Sequence, residues 1–286
     1  MKILTIPSSL EEIEKTKDKV DGFIIGIKDY SVNANLYIDL SNLSMLNDID
    51  KDIFILLNKN LHNSDLKEVK EIMIKLNDYN IKGLMYYDIA VLNMYNNLDL
   101  KYELVCSQEH LSTNYQTINY WNKFGVKYTY LSSDITIEEI KEISKNSKTK
   151  LIVNLFGYLP MFVSKRHIVK NYLNYFNLKD SSNINYIEKE NNIYPILDNN
   201  IGTVCYSSNI LNGIKSSIEI DVDYVVLNSF NIELDKFLSV IDMFRSVTQY
   251  NALEYDKNIN NMFRNTDYGF LYKKTIYKVK NNEKKA

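Results

Sequence analysis

Short apolar runs alternate with amphipathic stretches along almost the whole chain. Eight runs are rich in β-branched and aromatic residues and nearly continuously apolar, which is typical of strands buried on both faces. They are Lys2–Ile6, Gly22–Lys28, Ile53–Asn58, Gly83–Asp88, Tyr102–Ser107, Lys127–Leu131, Lys150–Leu155 and Tyr224–Asn228. Helical periodicity follows six of these runs, at Leu10–Val20, Ser64–Asp78, Asp88–Asn96, Thr113–Phe124, Ile135–Ser144 and Asn231–Arg245.

This alternation predicts a parallel α/β sheet, because each parallel connection needs a crossover helix. Eight strands are the number that closes a (β/α)8 barrel, and the 286 residues suffice for such a barrel plus an insertion. We therefore predict a TIM-like barrel, with all 286 residues in a single domain. An open doubly wound sheet is the structural alternative.

Three segments depart from the alternation. Residues 31–47 lack helical period and suggest an extended excursion after the second strand. Residues 157–222 are far longer than a βα loop, so we predict an insertion between strands 7 and 8, with Gly157 and Pro160 ending strand 7. Two alternating runs around residues 198–200 predict a β-hairpin within it. Residues 270–279 also alternate and suggest one more strand, and the Lys-rich residues 280–286 suggest a disordered tail.

Composition narrows the class of protein only a little. The hydrophobic fraction is 45% and the net charge is −2, so composition does not favour a nucleic-acid or membrane partner. Two cysteines, Cys106 and Cys205, are too few for a disulfide framework or a four-thiolate iron–sulfur site. No apolar run reaches the ~18 residues of a membrane span, and no signal-peptide pattern is present. We expect a cytoplasmic protein without a membrane partner.

Polar side chains follow several predicted strands at the end where barrel enzymes carry their functional groups. Asn58, Asp88 and Gln108 follow the third, fourth and fifth strands, and we expect them at one rim of the barrel. Each also has a structural interpretation: Asp88, for example, suits the N-cap of the helix that follows. The group around Gln108 and His110 is equally consistent with a polar loop that faces water.

The helix after the fifth strand is predicted from local signals. Thr113 and Gln116 fit a capping box, and Gly125 suits the positive φ that follows a helix. Ile118 and Trp121 supply the helix's inward face.

A second polar group contains Ser164, Lys165, Arg166 and His167. The two cations could hold a carboxylate or phosphate, and cations at the start of a helix oppose its dipole. The alternative is a solvated first helical turn. The three histidines His62, His110 and His167 all follow odd-numbered strands, but their spacing favours solvated or turn histidines over a metal site.

Six segments together resemble the peptidase U32 (collagenase-like) family. They are LLNKNLHNSDL, YYDIAVL, SQEHLSTNYQTINYWNKFGV, GYLPMFVSKRHIVKNYLNYF, YPILDNNIGTVCYSS and DYGFLYKKTIYKVK, and they lie in family order over nearly the whole chain. The resemblance implies a TIM-like barrel with a long insertion. The family is named for peptidase and collagenase activity. Better-understood members act in hydroxylation, including prephenate-dependent formation of 5-hydroxyuridine at the tRNA wobble position.

Such members commonly hold a [4Fe–4S] cluster on four cysteines around the segment equivalent to residues 157–171 and beyond. Here Leu159-Pro160-Met161-Phe162 stands where a cysteine-bearing motif would be, and Phe156 occupies the place of a common histidine. The chain resembles a short, cysteine-poor branch encoded beside a cluster-bearing paralogue. The resemblance therefore implies no resident cluster, with that paralogue, tRNA and a small anion such as prephenate as partners.

The resemblance also implies candidate site residues. Those carried over by family match are Asn58, Asp88, Gln108, Asn114, Gly157, Ser164 and Lys165. Together with the polar loop around Gln108, this gives Asp88, Gln108 and His110 as candidates for catalysis. The candidates for substrate binding are Asn58, Asn114, Gly157, Ser164, Lys165 and Arg166. No metal ligand is assigned. Three functions stay open: a component of a tRNA wobble-uridine hydroxylation system, a collagenase-like hydrolase with Ser107 beside His110 or with Cys106, and a non-catalytic scaffold for the paralogue.

Overall fold

The computed structural model describes residues 1–108, 110–179 and 184–273. Its strands are β1 Lys2–Ile6, β2 Gly22–Ile27, β3 Tyr37–Ile38, β4 Asp52–Leu57, β5 Gly83–Tyr86, β6 Glu103–Cys106, β7 Tyr128–Tyr130, β8 Lys150–Ser164, β9 Ile184–Lys189, β10 Asn192–Asn199, β11 Gly202–Asn212, β12 Tyr224–Asn228 and β13 Thr266–Asp267. Its α-helices are α1 Leu10–Thr16, α2 Leu66–Leu76, α3 Ile89–Tyr95, α4 Tyr115–Asn122, α5 Ile137–Asn146, α6 Ile168–Tyr175, α7 Leu234–Ser246 and α8 Ala252–Met262.

Eight parallel strands close into a barrel in the order β12, β1, β2, β4, β5, β6, β7 and β8, and β8 pairs with β12 to complete the cylinder. The predicted TIM-like barrel is thus confirmed, and the open sheet is excluded. Each barrel strand overlaps one of the eight predicted runs, and each of the six predicted helices overlaps an observed one. The apolar runs predicted strands well because both faces are covered; all six residues of β2, for instance, are buried.

The barrel interior is packed solid at its amino-terminal end. The rings of Phe54, Tyr128 and Tyr224 meet there with centroids 5.5 to 6.1 Å apart. Below them the Tyr224 hydroxyl donates to Asp52 Oδ2 over 2.7 Å, and Lys2 Nζ lies 2.9 Å from the same oxygen. Because side chains fill this end, space for a ligand is left at the opposite rim, where the strands end.

The helices other than α6 cover the barrel, and α2 does so with a clear apolar stripe. In α2 the stripe consists of Val69, Ile72, Met73 and Leu76, all buried and spaced i, i+3, i+4 and i+7. At about 1.5–3 kcal/mol for each buried side chain, α2 contributes roughly 6–12 kcal/mol of gross burial energy. The start of α5 is fixed by a capping box between Thr136 and Glu139.

Strand β8 leaves the barrel without a break, which corrects the prediction that Gly157 and Pro160 end it. Gly157 has φ +110° and marks the bend where β8 stops pairing with β12 and pairs only with β11. Pro160 lies opposite Tyr206 beside a register shift, where a missing N–H costs no regular ladder bond. The outer half of β8, with α6, β9, β10 and β11, forms a projecting layer that we call the arm.

The arm contains the predicted hairpin, since β10 and β11 pair antiparallel around the turn at residues 199–202. Its base is fixed by Tyr206, whose ring stacks on Phe230 with centroids 3.9 Å apart. Its tip folds back to the barrel, where Asn199 Nδ2 donates to the hydroxyl of Tyr37 over 3.3 Å. Burial raises the pKa of Tyr37 to about 12, so this hydroxyl stays neutral.

Two local predictions were wrong. The N-cap of α4 is Asn114, whose Oδ1 accepts from Thr117 N, and not Thr113. Residues 270–273 form turns rather than a strand, while 274–279 and the predicted disordered tail at 280–286 lie outside the described residues. The expected excursion after β2 contains only the two-residue β3 and a 3-10 helix at Leu43–Asp48.

Candidate functional site

The carboxyl ends of the barrel strands face the arm across a cavity of about 330 Å³, which we call the arm cavity. One wall comes from the outer half of β8, and the other from the segments that follow β2, β4, β5 and β6. The lining residues are Val32, Asn58, Lys59, Asn60, Tyr87, His110, Pro160, Met161, Phe162, Val163, Lys165 and Ile201. Cationic and amide groups here share the cavity with apolar walls, which is the usual composition of a small-molecule site.

Two lysines, Lys59 and Lys165, line the arm cavity. Lys165 Nζ donates to the carbonyl oxygen of Asn60 over 3.1 Å and lies 2.8 Å from His62 Nε2, so it is held across the cavity from its own strand. Lys59 Nζ lies 3.5 Å from Asp65 Oδ1 and 4.9 Å from the centre of the Tyr30 ring. No carboxylate of the described residues pairs with Lys165, whose charge therefore remains available to an anion.

The loops that carry these lysines are fixed by hydrogen bonds to backbone groups. Asn58 Oδ1 accepts from Val32 N over 2.7 Å, which joins the loop after β4 to the segment after β2. Asp65 Oδ2 accepts from His62 N over 2.7 Å, and this bond, together with the nearby Lys59, lowers the pKa of the Asp65 carboxyl. A ligand would therefore meet cations in a largely fixed frame.

His110 lines the arm cavity and also a smaller neighbouring cavity of about 60 Å³ over the barrel axis. Its Nδ1 lies 3.2 Å from Asp134 Oδ2, and both side chains are exposed. In the smaller cavity the Tyr130 hydroxyl donates to Asn154 Oδ1 over 2.5 Å, and Asn154 Nδ2 donates to Ser133 Oγ over 3.0 Å. The polar side chains of Tyr130, Asn154 and Ser133 in this second cavity are thus already hydrogen-bonded to one another.

Asn58, Asp88 and Gln108 follow the neighbouring strands β4, β5 and β6, at one end of the barrel. Asn58 and His110 line the arm cavity, but Asp88 and Gln108 do not. Asp88 caps α3 through Ala90 N at 2.9 Å and also accepts from Leu61 N at 3.3 Å. Gln108 is buried and donates from Nε2 to the Tyr87 carbonyl oxygen over 3.0 Å. These two residues shape the loops around the cavity.

The remaining predicted residues divide between the arm and its surroundings. Asn114 is the exposed N-cap of α4 and does not line either cavity. Gly157 allows β8 to approach Asn228, because a Cβ at this position would lie 2.8 Å from Asn228 Cβ. Ser164 Oγ accepts from Arg166 N over 3.2 Å, which turns the chain from β8 into α6. Of this group, none lines the arm cavity, whereas the neighbouring Lys165 does.

The groups considered for a peptidase are not joined into a catalytic pair in the described residues. Ser107 is buried, and no hydrogen bond connects it to His110. Cys106 is fully buried; burial raises the pKa of its thiol, against the smaller opposing effect of the Tyr86 hydroxyl. A buried thiol with a raised pKa is a poor nucleophile.

The histidines lie apart from one another, each with its own partner. His62 contacts Lys165, His110 contacts Asp134, and His167 Nδ1 lies 2.7 Å from Asp198 Oδ1. Throughout the ranges described, no three His, Cys, Asp or Glu side chains come together as a metal-binding group.

The chain also does not fit a [4Fe–4S] cluster. Cys106 and Cys205 are its only two cysteines, where four thiolates are needed. They lie in different parts of the fold: Cys106 ends β6 in the barrel, and Cys205 lies in β11 opposite Phe162. We therefore derive no chemistry from a cluster held by this chain.

The cavity-lining residues that sequence reasoning missed include Lys59, Asn228, Asp134 and Ile201. Lys59 directly follows Asn58, so its position at a strand end could have indicated it. Asn228 ends β12 and could have been found in the same way. Asp134 and Ile201 depended on loop paths that carry no clear signal in the sequence.

The fold and this cavity define a (β/α)8-barrel protein whose carboxyl-terminal face is covered by an arm. The chain belongs to peptidase family U32, whose family model matches residues 13–264. It is 26% identical over 195 residues to the tRNA hydroxylation protein P2 of Bacillus subtilis (strain 168). That match covers 60% of this chain and 63% of the relative, so it spans less than two thirds of the relative's length.

Solved structures with a similar fold include the U32 peptidase Mk0906, with a TM-score of 0.49 and 10% identity over 80% of this chain and 92% of that one. Another is the tryptophan synthase α-subunit of Pyrococcus furiosus, with a TM-score of 0.43 and 10% identity over 90% and 94%. Among the helices of the described ranges, none is long and apolar enough to span a membrane.

Proposed function

We propose that this protein is the cluster-free component of a cytoplasmic system that hydroxylates the wobble uridine of tRNA. In this proposal the arm cavity binds a small carboxylate such as prephenate, and a cluster-bearing U32 paralogue supplies the redox chemistry. The family membership and the relative's name, tRNA hydroxylation protein P2, support the tRNA connection. The arm cavity itself supports the anion.

The observation that carries the proposal is that Lys59, from the loop after β4, and Lys165, from the arm, line one cavity. A ring-bearing carboxylate needs cations for its charge and apolar surface for its ring. Lys59 and Lys165 supply the cations, and Met161 and Phe162 supply the apolar surface. The volume of about 330 Å³ lies within the range of small-molecule pockets.

A hydrolase is not proposed, because within the described residues His110 is not hydrogen-bonded to a hydroxyl or thiol nucleophile. A scaffold without ligand chemistry would use the same partner but would not need the cavity lysines. Variants of those lysines therefore separate the scaffold from our proposal.

The test combines gene deletion with nucleoside mass spectrometry of bulk tRNA, in an organism that makes 5-hydroxyuridine derivatives. Deletion is expected to remove or strongly reduce these nucleosides, and the wild-type gene to restore them. Lys59→Ala and Lys165→Ala are expected to fail to restore them, whereas Lys148→Ala, an exposed lysine just before β8 at the other end of the barrel, should succeed. Unchanged nucleosides after deletion would overturn the proposal, and full restoration by both cavity variants would favour the scaffold.

A further inference from the structure

One continuous segment of the arm, residues 161–179, concentrates positive charge. It contains Lys165, Arg166, Lys170 and Lys179 and no aspartate or glutamate, so its formal charge is +4 with histidine neutral. The whole chain carries −2, so the remaining residues carry −6. This segment is therefore positively charged, whereas the rest of the chain is net negative.

These cations are largely free for a partner. Within the described residues, no salt bridge involves the side chains of Arg166, Lys170 or Lys179. The carboxylate of Asp198, on the neighbouring β10, is already used: its Oδ1 lies 2.7 Å from His167 Nδ1 and its Oδ2 accepts from Lys170 N over 3.1 Å. It fixes the start of α6 and forms no salt bridge with Arg166, Lys170 or Lys179, all within the described ranges.

The same segment exposes a cluster of aromatic rings. Tyr172, Tyr175 and Phe176 are 57%, 80% and 54% exposed, and α6 has no buried residue. The ring of Phe176 lies 4.8 Å from that of Tyr172 and 4.9 Å from that of Tyr175, so the three form one surface. The rings do not line the groove of about 400 Å³ between α6 and the turn at residues 198–200, which Lys170 lines.

Exposed rings interleaved with unpaired cations are what single-stranded nucleic acid requires, because bases stack on the rings while the cations neutralise phosphates. A protein partner fits less well: protein interfaces are depleted in lysine, and three of the four cations here are lysines. The surface is also continuous with the arm cavity, since Met161, Phe162 and Lys165 line that cavity.

We propose that residues 161–179 of the arm bind the single-stranded loop of an RNA hairpin, with bases stacked on Tyr172, Tyr175 and Phe176. Arg166, Lys170 and Lys179 hold its phosphates, and the loop is delivered next to the arm cavity. That the hairpin is a tRNA anticodon stem-loop rests on the proposed function; the RNA-binding surface itself rests on the charge and the rings.

The experiment uses the full-length protein and a fluorescent RNA hairpin with a seven-nucleotide loop that has uridine at the wobble position. Affinity is measured by anisotropy over a series of salt concentrations. The double variant Tyr172→Ala/Tyr175→Ala is expected to bind about tenfold more weakly or worse. Arg166→Gln and Lys170→Gln are each expected to lower the slope of log affinity against log salt by about 0.7.

Two matched controls lie at the opposite end of the barrel. Tyr250→Ala removes a ring that is 99% exposed beyond the end of α7, and Lys148→Gln removes an exposed cation just before β8. Both should bind the hairpin as the wild type does. Because the substituted tyrosines are exposed, circular dichroism of the arm variants should match that of the wild type.

Wild-type protein that does not bind the hairpin, or arm variants that bind it as tightly as the controls, would overturn the inference. Unchanged RNA affinity with lost binding to a protein partner would do the same and would make the arm a protein-binding surface. Failure of the proposed function is recognised separately. If only the proposed function is wrong, deletion of the gene leaves the modified nucleosides unchanged, and hairpin binding still depends on the rings of Tyr172 and Tyr175.

Discussion

Gly157 provides a sharp test of how β8 passes from the barrel into the arm. Its φ of +110° is a conformation that residues with a side chain rarely adopt. In addition, a Cβ would collide with the carbonyl oxygen of Asn228 and would lie 2.8 Å from its Cβ. Gly157→Ala therefore meets two separate costs, one from its own backbone dihedrals and one from its neighbour.

The two costs have known sizes. Holding a residue other than glycine at such dihedrals costs about 1–2 kcal/mol, and forcing an extra methyl into a packed site costs a further ~1–3 kcal/mol. The clash involves backbone atoms of β12, which pairs with both β1 and β8 and cannot move away easily. We expect Gly157→Ala to lower the free energy of unfolding by about 4 kcal/mol.

Gly125→Ala is the matched control. Gly125 has φ +89°, but the nearest atom to a Cβ there is Asn96 Oδ1 at 3.9 Å, so only the dihedral cost applies, about 1–2 kcal/mol. Both substitutions reduce unfolded-chain entropy equally, and this effect cancels in the comparison. Urea unfolding monitored by fluorescence at constant m measures the difference. Equal destabilisation by the two variants would refute the steric argument at the bend.

Four other substitutions test three buried side chains, Glu12, Asp256 and Phe156, by urea unfolding. Burial raises the pKa of Glu12, so the contribution of its carboxyl group to stability is intact below the ordinary pKa of 4.5 and declines as pH rises towards the folded-state pKa. The free energy of unfolding of Glu12→Gln should therefore rise relative to that of the wild type between pH 4.5 and 8. A difference that does not depend on pH would contradict this. Asp256 accepts from Asn212 Nδ2 over 3.1 Å and from the Tyr268 hydroxyl over 2.9 Å. Asp256→Ala should lower the free energy of unfolding by about 3 kcal/mol, and Tyr268→Phe by only about 1 kcal/mol. Equal costs would show that the carboxylate is not the centre of this network. Phe156 is fully buried among phenylalanine rings such as Phe263, whose centroid is 5.6 Å away. Phe156→His should lower the free energy of unfolding by roughly 3 kcal/mol, because it loses volume and buries an imidazole without hydrogen-bond partners. Unchanged stability would exclude this account.

The barrel could be predicted from the sequence because parallel strands covered on both faces are uninterrupted apolar runs. The arm could be predicted only in part. Gly157 and Pro160 usually end strands, but here one forms a bend and the other lies at a register shift opposite Tyr206. Only the partner strand β11, about fifty residues away along the chain, shows that β8 continues. Similarly, Thr113 and Asn114 are both good caps, and local chemistry does not choose between them.

The candidate site shows the same division between topology and detail. Topology places Asn58, Asp88 and Gln108 at one end of adjacent strands. Whether a side chain faces the cavity depends on its loop: Asp88 and Gln108 are engaged by the backbone of Leu61 and Tyr87 instead. Lys165 reaches the cavity only because the arm folds over the mouth, and no local pattern predicts that.

The unbroken course of β8 gives the two walls of the arm cavity different mechanical roles. A strand hydrogen-bonded to β7 and β12 at one end and to β11 at the other cannot swivel at its midpoint without losing ladder bonds. The arm is thus held by continuous strand pairing, whereas the facing loop at residues 58–62 is held by individual hydrogen bonds such as those to Asn58 and His62. Changes in ligand preference within this architecture should therefore arise from substitutions in that loop more readily than from any movement of the arm.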